Sequence, residues 1–286
     1  MHLWAITIVL LSACIHATWN LLAKKANSSL IFVWYYSVIS SLFLSPFIIY
    51  ILFSSTIELR PSQYLFMFGS GIIHSGYSIM LQKGYKVGDL SLVYPVARGL
   101  APFLVVIVSV IFLKEPLTVQ LTIGIFCILV SVFLLSVKNN PIDKSRIKIS
   151  LLYGFYIAFL IMFYTIVDKI AVSNAEIPPF IFFYGMIICQ TTVLSLFVFI
   201  RNKPFKHELV GIKKIGISVG VLSPLSYIMI LYIFSTYPLT KIAPLREVSI
   251  LFGILLGVIL LKEKLTIKHV LAMLIMFTGV VLIVLG

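Results

Sequence analysis

The segment Leu92–Thr118 returns 148 positions later as Thr240–Thr266, with Arg98 falling on Arg246, Lys114-Glu115 on Lys262-Glu263 and Leu117-Thr118 on Leu265-Thr266. A chain that carries one block twice is a duplicated chain, and its fold has to accommodate two like halves. Each copy of the block is a long apolar run interrupted by a single arginine. An unpaired charge in hydrocarbon costs on the order of several kcal/mol, so an arginine kept there in both halves marks a pairing or a polar cavity. Two such arginines at equivalent places point to a translocation site at the interface of the halves.

Similar apolar runs fill the rest of the chain, near residues 3–23, 30–53, 64–82, 90–113, 119–137, 149–167, 177–200, 212–235, 241–261 and 267–285. Each can cross roughly 30 Å of hydrocarbon at about 1.5 Å per helical residue. The runs are continuous rather than alternating, which favours helices over barrel strands. With 61% hydrophobic and 11% charged residues, and a mean hydropathy of +1.14, the chain lies outside soluble globular usage. The expected fold class is an all-α integral membrane protein of about ten transmembrane helices. Pro61, Pro141, Pro178-Pro179 and Pro204 sit at or just outside run ends, where a missing N–H does little harm. The polar stretch Lys138–Ser150 reads as the linker between a first repeat over residues 1–137 and a second over 149–286. Five spans per half is an odd number, so the halves insert upside down relative to each other, about an approximate two-fold axis in the membrane plane.

The net charge of +13 does not point to nucleic acid, because the basic residues sit in short connectors between apolar runs. Odd-numbered connectors hold 16 of the 22 Lys and Arg, even-numbered ones only Arg60, Lys114, Lys169 and Lys241. Positive-inside places the odd connectors in the cytoplasm and both termini outside a cell membrane. Leu11-Ser12-Ala13-Cys14 looks like a lipoprotein processing box, yet Met1–Ala13 has no Lys or Arg and the apolar pattern continues to Leu22, so this segment reads as the first span. Cys14, Cys127 and Cys189 lie within apolar runs as small fillers. No metal-ligand spacing, Gly-rich phosphate loop or nucleophile–base pair is present. Neither metal, cofactor nor catalytic residue is therefore expected, and the partners are a small-molecule substrate, the lipid bilayer, protons as a coupling ion and, in a homodimer, a second copy.

The polar residues inside the runs are the candidate substrate-binding residues. Arg98 lies about 12 Å into its span and Arg246 similarly inside another, entered from the opposite face, and a guanidinium offers a charged planar fork matched to carboxylate, phosphate or phosphonate. Pro95 and Pro244 are expected to loosen the helix beside each arginine. Glu247 has three open roles: neutralising Arg98, binding a substrate ammonium, or carrying a coupling proton. His16, Trp19 and Asn20 share one helix face, as do His74 with Tyr77, Tyr94 with Arg98, and Tyr164 with Asp168. Asp168 and Asp89 lie at span ends and read as solvated or capping residues.

His16-Ala17-Thr18-Trp19-Asn20, Tyr94-Pro95-Val96-Ala97-Arg98-Gly99, and the turn Leu113–Thr118 with its echo Leu261–Thr266 resemble the EamA-type repeat of the drug/metabolite transporter superfamily. The resemblance covers essentially the whole chain as two tandem copies. It implies ten helices in an inverted repeat and transport of small metabolites, often export of amino acids or related compounds. Many members are drawn with cytoplasmic termini, against the charge count here. The function expected is alternating-access transport of a small anionic or zwitterionic metabolite. The alternatives are a flippase of a lipid-linked headgroup, a membrane-embedded enzyme, and a non-transporting scaffold, which leaves the paired arginines unexplained.

Overall fold

Helix is the only regular structure among the described residues of the computed structural model, which are 1–26, 29–54, 57–88, 90–136, 146–200, 209–262 and 265–286. The helices are α1 (Leu3–Lys25), α2 (Leu30–Ser54), α3 (Pro61–Val87), α4 (Leu90–Ile111), α5 (Val119–Ser136), α6 (Ile147–Ser173), α7 (Pro179–Ile200), α8 (Lys213–Thr236), α9a (Leu239–Leu245), α9b (Ser249–Leu261) and α10 (Ile267–Leu285), with a 3-10 turn over Arg246–Val248 joining α9a to α9b. Eight segments are long and apolar enough to cross a bilayer: α1, α2, α4, α6, α7, α8, the α9 unit and α10. Val119–Leu135 of α5 is apolar but shorter. Helix α3 is long, but Gln63, His74, Gln82, Lys83 and Lys86 make it the more polar element. Expectations for Asp89, Glu263, Pro141, Pro204, residue 137 of the first repeat and residues 138–145 of the linker lie outside the described residues.

Local chemistry sets several helix ends. Pro61 and Pro179 open α3 and α7, where the absent N–H has no helical acceptor to lose. Lys114 and Lys262, equivalent in the two halves, both close their helices with φ of 55°, so this position takes the same left-handed conformation in each copy. Proline inside a helix strips a partner from the carbonyl four residues back. Ser45 Oγ answers this for Pro46 by donating to Leu42 O at 2.9 Å, and Ser40 Oγ answers it for Pro224 by donating to Gly220 O at 2.7 Å.

Two helices end later than the sequence suggests. Helix α3 runs to Val87 rather than residue 82, and α6 to Ser173 rather than 167. The added length of α6 takes in Asp168, which is fully buried, so its reading as a solvated or capping residue is corrected. Lys169 and Lys241 likewise lie within α6 and α9a, not in connectors. Lys169 reaches the carbonyls of Phe234 and Tyr237 at 2.5 and 2.9 Å, capping the end of α8. A long aliphatic stem lets a lysine leave apolar surroundings this way.

Helix packing repeats from one half to the other. α1 lies on α8 as α6 lies on α3, α2 on α8 as α7 on α3, and α1 on α9b as α6 on α4. In α3, a Cβ at Gly71 would meet Cys189 Cβ at 2.6 Å and Met186 O at 2.7 Å. In α8, one at Gly220 would meet Ile39 Cγ2 at 2.6 Å and Tyr36 O at 3.0 Å. Between α5 and α10, a Cβ at Gly279 would meet Gly124 O at 2.7 Å, and Ser131 Oγ donates to Ala272 O at 2.6 Å. Small residues and hydroxyl bonds bring helices together where lipid supplies no hydrophobic drive between them. Both termini share one end of the molecule, since the Met1 ammonium donates to Val284 O at 3.2 Å.

Candidate functional site

Arg98 projects from α4 towards α1 and the α9 turn. One of its terminal nitrogens is 3.1 Å from His16 Nε2, and the other is 3.6 Å from Glu247 Oε1. Its guanidinium carbon lies 5.9 Å from the Tyr94 ring centre one helical turn away, a cation–π contact, with Tyr94 itself 37% exposed. Of the three roles open to Glu247, pairing with Arg98 is the one the geometry displays. Glu247 Oε2 is nevertheless buried without a hydrogen-bond partner.

Arg246 opens the 3-10 turn that follows Pro244. Proline removes a helical donor and the chain tightens for one turn before α9b resumes, as expected beside Pro244. Helix α4 is continuous from Leu90 to Ile111, and Pro244 aligns with Val96 rather than with Pro95. The Arg246 guanidinium lies over the Tyr227 ring at 5.4 Å and the Phe234 ring at 5.8 Å. Among the described residues its N–H groups meet no acceptor. Arg98, Arg246 and His16 line one cavity with Ser12, Ser226 and Tyr227. Its free space is about 20 Å³, near what a single water requires, so a solute enters only if the helices move apart.

His16 meets Trp19 edge-on at 4.8 Å, and the buried Trp19 Nε1 has no acceptor. Asn20 turns back on its own helix, Nδ2 donating to His16 O at 2.8 Å, and is not brought to the arginines. His74, Tyr77 and Tyr164 form a second group. The His74 ring stacks on Tyr164 at 4.0 Å, and Tyr77 meets Tyr164 at 5.7 Å.

This second group is centred on Asp168, which the sequence reading set aside. Ser70 Oγ and Tyr227 Oη each donate to its carboxylate at 2.5 Å, and His74 Nε2 lies 3.2 Å from Oδ2. Tyr227 joins the groups, its hydroxyl on Asp168 and its ring beneath Arg246. The helix-face pairing of Tyr164 with Asp168 was the available signal, and the neighbouring Lys169 disguised it as a membrane-surface residue.

A multi-pass helical membrane protein, with one arginine from each half on a shared cavity, is a candidate for carrying solutes across a bilayer. The chain belongs to the EamA-like transporter family, whose model matches residues 3–137 and again 148–285, within the drug/metabolite transporter superfamily. A solved structure described as "Crystal structure of protein" covers 98% of both chains at a TM-score of 0.78 and 16% identity, a likeness of fold alone. A search of curated proteins gives no match.

Proposed function

We propose that the chain is a secondary transporter that moves a small anionic or zwitterionic organic solute by alternating access of two inverted five-helix halves, residues 1–137 and 149–286. The observation that carries this reading is the pair Arg98 and Arg246 on one cavity, with Arg246's donors unanswered and Glu247 Oε2 unpaired. A planar anion has a fork to receive it, and an ammonium has a buried carboxylate oxygen within the same cluster. The packing of α1 on α8 as α6 on α3, and the antiparallel meeting of α5 with α10 at Gly124–Gly279 and Ser131–Ala272, support the two-fold relation of the halves. The broken ninth helix supports a site there, since discontinuous helices present backbone and side-chain groups to solutes near the bilayer midplane.

The flippase reading asks for a sideways route from the arginines to lipid. The large apolar groove between α2, α3 and α7, lined by residues such as Ile48, Met67, Tyr184 and Ile188, shares no residue with the arginine cavity, so it lends that reading no support. The test is a thermal-shift screen of purified protein against amino acids, carboxylates and phosphonates. A ligand present at about 100 times its Kd stabilises the folded state by about 2.7 kcal/mol, so at least one carboxylate-bearing solute should raise the melting temperature. Stabilisation by uncharged solutes alone would remove the anion assignment.

A further inference from the structure

Asp168 is a buried carboxylate without a permanent counter-charge. It is wholly enclosed, and its partners are the hydroxyls of Ser70 and Tyr227 and the imidazole of His74. Glu247 differs, because Arg98 beside it never loses its charge. The ionisable and charged groups around Asp168 can be followed helix by helix. From α3 come His74 and, beyond Tyr164, Tyr77; from α8 comes Tyr227; from α6 itself come Tyr164 and Lys169. The Lys169 ammonium is turned away to Phe234 O and Tyr237 O. From α7, the Cys189 thiol is on Phe68 O and Tyr184 lines the apolar groove. Arg98 of α4 is on His16 and Glu247, and Arg246 lies across the Tyr227 ring. Among the described residues only His74 can supply a full positive charge in direct contact, and only while it holds a proton.

A carboxylate and an imidazole in contact offer one proton two places to sit, so the pair has two charge states that differ by one. The site also exists in one half alone. The 148-residue offset that maps Arg98 onto Arg246 maps Asn20 onto Asp168 and His16 onto Tyr164, and Asn20 cannot titrate. Tyr227 then connects this site to the cavity. Its hydroxyl is one of the donors to Asp168, and its ring is the surface on which Arg246 rests. A solute that draws Arg246 off that ring moves a hydrogen-bond donor of the carboxylate.

We propose that Asp168 and His74 form the proton-binding site of this protein, distinct from the anion-binding arginines and linked to them through Tyr227. One proton enters the pair from one aqueous face and leaves to the other, changing the charge of the pair by one. The coupling role rests on the reading of the chain as a transporter, whereas the proton site itself does not need a solute to be seen.

The experiment is infrared pH-difference spectroscopy of the full chain in liposomes without added solute. Exposed carboxylates are largely ionised above about pH 5, so difference spectra taken above that pH follow the protonated-carboxyl C=O band of an enclosed site. The chain has only three aspartates, Asp89, Asp143 and Asp168. Carbon-13 at the aspartate side-chain carboxyl should shift the band to lower frequency in the wild-type protein, which assigns it to an aspartate rather than to Glu247 even if a variant fails to fold. Asp168→Asn should abolish the band, Glu247→Gln should retain it, and Tyr227→Phe should move its midpoint. A band that ignores the label or survives Asp168→Asn, or the lack of any titrating band, overturns the proton site. An unmoved midpoint in Tyr227→Phe overturns the link to Arg246. If the screened solutes neither bind nor move while the aspartate band stands, it is the transporter reading that falls instead.

Discussion

Arg98 and Arg246 occupy the same place in their repeats but not the same surroundings. Arg98 is held by His16 and Glu247, while Arg246 rests on aromatic faces and its guanidinium meets no acceptor among the described residues. Replacement by lysine keeps the charge and loses the fork, and at a ligand-bound site should weaken binding by about 1–3 kcal/mol, roughly ten- to a hundredfold. Arg246→Lys is expected to fall at the upper end of that range and Arg98→Lys at the lower, as read by calorimetric titration with a stabilising carboxylate. Equal and negligible effects in folded variants would make both arginines structural. At this scale the sequence was informative wherever a charge interrupted an apolar run, and Arg98, His16, Arg246 and Glu247 do come together. It was silent on Tyr227, one of 14 tyrosines with nothing in its neighbours to distinguish it. It was misleading on Asp168, because Asp168-Lys169 looks like a membrane-surface pair until the lysine is seen to reach the end of α8.

Between elements, the α8–α9a corner is held from both halves. The Glu115 carboxylate, in the turn after α4, accepts from Leu239 N and Thr240 N at 2.8 Å each. Lys169 binds the last carbonyls of α8 from the other side. A carboxylate on the first N–H groups of a helix answers donors that have no helical acceptor and complements the positive end of the helix dipole. Glu115→Ala should therefore destabilise the protein by about 0.5–2 kcal/mol, seen as a lower melting temperature in detergent. Glu115→Gln should recover part of it, because the amide oxygen still accepts; no difference between Ala and wild type would mean water replaces the cap without loss. Span existence was legible from apolar runs, as were the proline-marked starts of α3 and α7. Span ends were less so: α6 runs on through Asp168 and Lys169, whose neighbours satisfy them inside the bundle, and α3 through the exposed Lys83 and Lys86. The break after Pro244 was legible in the proline itself.

For the molecule as a whole, the charge bias across connectors predicts an orientation with both termini outside, and the structure joins the termini at one end through Met1 and Val284. A reporter fused after Gly286 should give the extracytoplasmic pattern and one inserted after Gly211 the cytoplasmic pattern. The reverse pair of results would show that the orientation usually drawn for the family prevails over the charge count. Duplication was visible in the sequence because Arg98 and Arg246 stand in matching blocks. The way the halves meet was not, since it resides in small-residue contacts such as Gly124 with Gly279. The central claim is that a solute crosses through a cavity to which each half contributes its arginine. The most direct measurement is solute counterflow in proteoliposomes at fixed pH, using a radiolabelled carboxylate that stabilises the purified protein, for wild type, Arg98→Lys and Arg246→Lys. The account predicts exchange by wild type that is reduced in both variants, more so in Arg246→Lys. Wild-type exchange left unchanged by both substitutions, or none at all for a solute that binds, would contradict it.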